Sequence, residues 1–388
     1  MVDEEVYEAV WQQYNDTTAV LMLDGTRILD LTRVLAGPLC TMMLGDLGAD
    51  VIKVERSAGG DETRGWGPPF DDRGESAYFL SVNRNKLSLA ADFAMPRDRD
   101  LIERLAVEAD VVVENYRPGS LERHSLGAKR IRRKNAAVIW CTITGFGPES
   151  ERPGYDYVVQ AERGWMSITG DPDGPPMKSG VALADVIAGK DAAIAILAAL
   201  VARPQTGAGR EVSISLARSA AAALVNVAQN ALVTGEDASR WGNAHPNLVP
   251  YELFEAADRP IVIAVGTDAQ WTACVRALEL ASLAADPALA TNAGRLAQRE
   301  RVVSEIAARV RQRNAADWVR RLDSAGVPNG VVKSVLETLR EEPASPLTGV
   351  APSVPGSVRL PPPRLGEHDA LIRENGWRAF DKLRAVAR

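Results

Sequence analysis

Histidine and cysteine are both scarce in this 388-residue chain, with three of each. His124, His245 and His368 stand far apart, in no spacing that a metal cluster or a histidine-based triad uses. Cys40, Cys141 and Cys274 are equally scattered, and no C-x-x-C pair occurs. That pattern excludes a disulfide framework and a cysteine metal site, and it suits a reducing cytoplasmic setting. Positive charge is not in excess, since the formal net charge is −6. A nucleic-acid partner is therefore not expected. The one basic run, Lys129, Arg130, Arg132, Arg133 and Lys134, reads as a solvated helix face.

Long apolar runs are lacking too. The longest, Ala192 to Ala202, has eleven residues, against the roughly 20 that a membrane span needs. It reads as a buried helix, and no membrane partner is expected. The opening MVDEEVYEAV is acidic and has no apolar stretch of the kind a signal peptide carries. Glycine-rich nucleotide loops are missing as well. The first strand–helix turn is TRVLAGP rather than G-x-G-x-x-G, so the backbone approach to a dinucleotide is not made there. Glu55, where a ribose-binding acid would stand, reads as a strand-end carboxylate in a local ion pair. No G-K-[ST] loop and no G-x-S-x-G elbow occur.

What is present is an α/β pattern. RILDL and VIKVE read as strands flanking a helix over LCTMMLGDLGA, with Leu39, Met42, Met43 and Leu47 on one side. LSLAADF, DVVVENY, AVIWCTITGFG and REVSISL continue the strands, separated by helical segments. Strand–helix alternation of this kind builds a parallel sheet with right-handed crossovers. An alanine-rich helix is predicted from Ala217 to Val233. The texture changes near Gly235. The expected layout is a polar arm over 1–24, a large domain over 25–235, a smaller α/β domain over 245–332 and a proline-rich C-terminal segment over 333–388.

Seven stretches, in order, carry a resemblance. They are DLTRVLAGP (30–38), GDLGADVIKVERSAGGDETRGWGPPF (45–70), YFLSVNRNK (78–86), VVVENYRPGSLERHSLG (111–127), TGFGP (144–148), PGYDYVVQAERGWMSITG (153–170) and GVALADVIAG (180–189). Together they resemble the class III CoA-transferases, from about residue 25 to the C-terminal LGEH. The resemblance implies a large Rossmann-like domain, made of the N-terminal half plus the C-terminal tail, and a smaller α/β domain. It also implies a homodimer of interlocked, ring-like subunits. Coenzyme A and its acyl esters would be substrates, with no tightly bound cofactor.

By the same resemblance Asp185 is the catalytic nucleophile. Exchange of CoA between acids is close to thermoneutral, so the thioester's activation has to be kept. A carboxylate keeps it by forming a mixed anhydride and then an aspartyl-CoA thioester, and it is ionised at neutral pH without a base. Asp185 is predicted just before a long helix, whose N-terminus would stabilise an anion. A plain N-cap aspartate is the structural alternative. The resemblance further places Val34, Leu35 and Ala36 along the CoA path, Arg56 and Lys86 near the nucleotide phosphates, and Asn115, Tyr116 and Arg123 on another CoA-lining stretch. Read without it, Arg56, Lys86 and Arg123 are surface charges.

Two departures bear on the substrate. Thr144 stands where formyl-CoA transferases carry a lysine, and RWGNAHPNLVPY replaces their glycine-run loop. That loop looks closest to the dicarboxylate branch, the succinyl-CoA:glutarate CoA-transferases and their relatives. Succinyl-CoA is then the expected donor and a C4–C6 dicarboxylate the acceptor. Arg240, Asn243 and His245 are candidates for the second carboxylate, or else they brace the loop. α-Methylacyl-CoA racemases share the fold but carry a histidine just before the residue matching Asp156; here it is Tyr155. A racemase-like enzyme and a non-catalytic acyl-CoA-binding protein are the alternatives.

Overall fold

The computed structural model of the chain describes residues 21–386. The expected N-terminal arm lies, up to residue 20, outside the described residues. The chain divides into two compact units. The first holds the residues up to Trp165, Ser179–Gln229 and those from Glu342 onward; the second holds Met166–Lys178 and Asn230–Glu341. The sequence breaks at 235, 245 and 332 therefore fall several residues from the structural ones, and Met166–Lys178 joins a unit far from it in sequence.

The first unit is built on six parallel strands. They are β1 (Arg27–Leu31), β2 (Asp50–Arg56), β3 (Lys86–Ala91), β4 (Val111–Glu114), β5 (Ile139–Thr144) and β6 (Glu211–Ser215), in the order β3-β2-β1-β4-β5-β6. Successive side chains on a strand face opposite sides, and here both sides are covered. In β4, Val111 and Val113 enter one core while Val112 enters the other. This is why central strands such as β4 read as continuous apolar runs, while β6 at the edge, EVSIS, alternates. The order reverses between β1 and β4. In sheets of this type a ligand crevice opens at that reversal, beyond the strands' C-terminal ends.

Helix α1 (Ala36–Asp46) follows β1 and is buried on nearly every side. Of the face expected from Leu39, Met42, Met43 and Leu47, Met42 and Leu47 are buried while Leu39 and Met43 are less so. The helix is covered by a second layer, the 24-residue helix α2 (Leu183–Thr206), which packs against it. Alanine gives α2 its helical propensity, and Gly207 in the left-handed region ends it. Gly189 makes the close approach possible: a Cβ there would stand 2.6 Å from the carbonyl oxygen of Ala36. One turn earlier on α2 sits Asp185.

The predicted single helix from Ala217 to Val233 is two helices, α3 (Leu216–Ala222) and α4 (Val225–Thr234). The Ala220 carbonyl accepts from Trp165 Nε1 at 2.9 Å, and the Leu224 N–H turns to Ala221 instead. With that helical bond diverted, the chain breaks and Val225 takes φ +43°. The C-terminal tail returns to β3. Asn85 Oδ1 accepts from the N–H groups of Arg359 and Leu360, its own N–H donates to the Leu360 carbonyl, and its Nδ2 donates to the Ser357 carbonyl. Trp377 and Phe380 then complete the core beside β3 and β4.

In the second unit, strands β7 (Tyr251–Glu255), β8 (Pro260–Ala264) and β9 (Asn329–Val331) form an antiparallel sheet. Its core gathers Ile261, Ile263, Trp271, Val302, Ile306 and Trp318. Among the described residues no helix is long and apolar enough to cross a membrane. The basic run lies on a surface helix, where Arg130 and Lys134 pair with Glu103 and Arg132 pairs with Glu211.

Candidate active site

A cleft opens at the β1/β4 reversal. Its walls include Val34, Leu35 and Ala36 after β1, Asn115 and Tyr116 after β4, Thr144 and Gly145 after β5, Tyr155, and Asp185. The loop walls are pinned together by two glycines. A Cβ on Gly154 would stand 2.1 Å from the Gly145 Cα, so neither position accepts a side chain.

The turn after β1 is held from below. Val34 has φ +71°, a costly conformation for a β-branched residue. Its N–H points to the Asp61 carboxylate at 3.2 Å. Asp61 is paired with Lys53 at 3.1 Å, and Lys53 also donates to the Thr32 carbonyl. Lys86 completes this buried group through Asp30 at 3.0 Å, the Pro38 carbonyl and Asn83. Two lysines and two carboxylates thus balance with no solvent contact at their side chains. Lys53 and Lys86 hold the Asp30 carboxyl well below the usual carboxylate range against the effect of burial. Burial pulls the Lys86 ammonium down to about 8 despite the pull of Asp30.

This placement corrects one expectation. Lys86 is neither a surface charge nor a cation facing a nucleotide; its ammonium is spent inside the protein. Arg56 is largely exposed and lies 3.5 Å from Glu62. Asn115 lines the cleft, but its amide is engaged: Oδ1 accepts from the Arg33 N–H and Nδ2 donates to the Arg33 carbonyl. It ties the end of β4 to the turn after β1. Tyr116 offers its ring to the Arg33 guanidinium at 5.1 Å. Arg123 is exposed on a short helix and donates to Ser120. Glu55 is gripped by Arg64 through two nitrogens and by Ser88, an ion pair in the core.

Asp185 is the third residue of α2, and the N-cap is Ala182. The plain capping role therefore falls away. Asp156 is the capping acid instead. Its Oδ1 accepts the Ala184 N–H at 2.8 Å and the Asp185 N–H at 3.4 Å, and its Oδ2 accepts from Gln160. The Asp185 carboxylate accepts no hydrogen bond among the described residues. Burial first, and then the Asp156 charge, push its pKa up to about 7. This corrects a second expectation: the helix end serves Asp156, and Asp185 holds its proton more tightly than a free carboxylate does. Tyr78 feels the same field. Burial, then Asp185 and Asp156, push its phenol up to about 12.

Asp156, Gln160, Arg33, Glu62 and Tyr78 were not picked out as site residues. Asp156 reaches α2 from 28 residues away, and no local pattern marks such a cap. In the second unit, Arg240 donates to the carbonyls of Asp171, Pro172 and Gly174, which ties its loop to the 171–174 segment. Asn243 is exposed. His245 Nδ1 accepts from the Asn247 N–H at 3.0 Å, and its ring lies 5.1 Å from that of Tyr251.

A family model described as CoA-transferase family III matches residues 23–351. The chain belongs to that family. It is an enzyme of CoA transfer, and CoA thioesters are the family's substrates. A mouse family member named succinyl-CoA:glutarate CoA-transferase is 42% identical, over 95% of this chain and 90% of that one. A succinate–glutarate CoA-transferase of Agrobacterium fabrum is 38% identical, over 90% and 94%. Among solved structures, a CaiB/BaiF family protein from Brucella suis superposes with a TM-score of 0.82 at 38% identity, covering 92% of this chain and 99% of that one.

Proposed function

We propose that this CoA-transferase moves CoA from succinyl-CoA to a C4–C6 dicarboxylate, with Asp185 as the nucleophile. The observation that carries the reading is the setting of Asp185. It is a carboxylate without a hydrogen-bond partner among the described residues, lining the cleft at the sheet's reversal point. The names of the similar mouse and Agrobacterium proteins support the choice of acids.

Asp185 attacks the thioester carbonyl; the C–S bond breaks and CoA leaves as thiolate. The mixed anhydride is then attacked by that thiolate at the Asp185 acyl carbon. Succinate departs, and an aspartyl-CoA thioester remains. The acceptor carboxylate attacks this thioester and expels the thiolate. The thiolate then takes the acceptor's acyl group and frees Asp185. Each carbonyl addition is covalent catalysis by a group that needs only to be ionised. A raised proton affinity goes with a more reactive carboxylate, at the cost of a smaller ionised fraction below pH 7.

Val34, Leu35, Ala36, Tyr116 and Arg123 are assigned to the CoA path, with Arg56 toward its phosphates and Asn115 as the brace of that wall. Within the second unit, Asn243 and His245 are the candidates for binding a carboxylate, and Arg240 ties their loop to the 171–174 segment. The working unit is a homodimer. Ile194, Ala198 and Val201 on α2 lie at helical spacing and are exposed, a stripe that a second copy would cover.

The test is incubation with succinyl-CoA and a panel of acids, glutarate, itaconate, citramalate, oxalate and formate among them, with new thioesters read by mass. A dicarboxyl-CoA product is expected, with Asp185→Ala slower by more than about 10³-fold. Loss of optical purity in a chiral 2-methylacyl-CoA without CoA transfer would instead favour a racemase.

A further inference from the structure

Glu62 stands between two arginines. Its Oε1 accepts from Arg33 Nη1 at 2.5 Å and lies 3.5 Å from Arg56 Nη2. One oxygen position is therefore already within reach of two guanidinium groups. Arg33 and Glu62 both line the cleft that holds Asp185. Arg33 Nε and Glu62 Oε2 are buried without hydrogen-bond partners among the described residues. A buried polar atom left unpaired calls for an explanation, and here two of them flank one ion pair.

The arginine does not depend on Glu62 for its place. Asn115 grips the Arg33 backbone on both its N–H and its carbonyl, and the guanidinium rests over the Tyr116 ring. Glu62 has no such support: the two arginines are its side chain's only ion-pair partners among the described residues. The three side chains are 32%, 34% and 57% exposed for Arg33, Glu62 and Arg56. Ion pairs this exposed are weak. A phosphate carries more charge than a carboxylate and has three oxygens for guanidinium forks. Two cations and one anion also leave a net positive charge at this spot, on a chain that is acidic overall.

We propose that the position of Glu62 Oε1 is a phosphoryl seat, and that Glu62 is a counter-ion displaced by a phosphate of the CoA substrate. The inference rests on the CoA-transfer reading and adds to it a specific seat and a competition. When phosphate arrives, two guanidinium–carboxylate contacts break and two guanidinium–phosphate contacts form. Glu62 then swings clear and opposes the bound phosphate through space. It therefore weakens CoA retention and speeds release of the new thioester.

The experiment is isothermal titration of the intact protein with CoA and, separately, with pantetheine, which lacks phosphates. Glu62→Gln is expected to tighten CoA about threefold to tenfold and to leave pantetheine unchanged. Arg33→Ala and Arg56→Ala are each expected to weaken CoA about tenfold, again with pantetheine unchanged. Arg56 is the safer of the two for folding, being the most exposed. A Glu62→Gln protein that binds CoA no better than the parent, or that gains equally for pantetheine, overturns the seat. Failure of the parent protein to bind CoA at all would overturn the CoA reading itself, which separates the two.

Discussion

Asp156 caps the helix that carries Asp185. One of its oxygens takes the N–H of Asp185 itself at 3.4 Å and that of Ala184 at 2.8 Å. The cap fixes where the Asp185 backbone sits, and its charge adds to burial in raising the proton affinity of the Asp185 carboxyl. One residue on another segment thus bears on both the placement and the ionisation of Asp185.

Asp156→Asn tests that coupling. Asparagine keeps an oxygen to accept the helix N–H groups and removes the charge. With a pKa of about 7 on Asp185, the parent's kcat/KM is expected to rise with pH and level off above neutrality. In the variant this acid limb is expected to move to lower pH, since the remaining cause is burial. Tyr78, the other titratable group that shares this field, stays protonated throughout. A pH–rate profile with an unmoved limb would sink the electrostatic role.

Asp185→Asn tests the same shift through stability. Folded, the carboxyl keeps its proton to about pH 7; unfolded, it loses it near pH 4. The folded state therefore binds the extra proton between these values, and the group's contribution falls as pH rises through that window. The asparagine variant is expected to be more stable than the parent at pH 7 and above, with the gap closing toward pH 4. Urea denaturation at a series of pH values measures it.

Lys86→Met separates a structural from a ligand-binding role. Removing the ammonium leaves Asp30 buried with one fewer cation, a change that costs about 3–5 kcal/mol. A large drop in the denaturation midpoint is expected. A fully stable variant with a selective loss of CoA affinity would restore Lys86 as a phosphate ligand.

Val201→Asp, alone and with Ile194→Asp, addresses the dimer. Both positions are exposed, at 74% and 64%, so a monomer tolerates the charge. Sedimentation is expected to show a dimer for the parent and a shift toward monomer for the variants. An unchanged sedimentation coefficient would place any dimer contact elsewhere.

Much of the fold was legible because its signals are local. The central strands of the parallel sheet are apolar runs bounded by turns, and the chemistry of burial writes them directly into the sequence. Asp185 was singled out through the stretch GVALADVIAG, and it lines the cleft. Its surroundings were not legible. The cap from Asp156, the carbonyl that Trp165 draws out of α3, and the buried balance of Asp30, Lys53, Asp61 and Lys86 all join residues distant in sequence. A lysine at a strand's start looks the same whether it meets solvent or a buried aspartate. For that reason Lys86 was read toward a ligand, while Arg33 and Glu62 passed unnoticed.

The bonds at Asn85 have a consequence for how the protein is made. Its side chain takes the N–H groups of Arg359 and Leu360, so an early strand is finished by residues near the chain's end. A ribosome delivers the second unit before those residues emerge. During synthesis the first unit waits with an open edge while the second is completed inside the sequence that encloses it. A chain truncated before Ser357 would leave the first unit unclosed, although every residue of the cleft had been made.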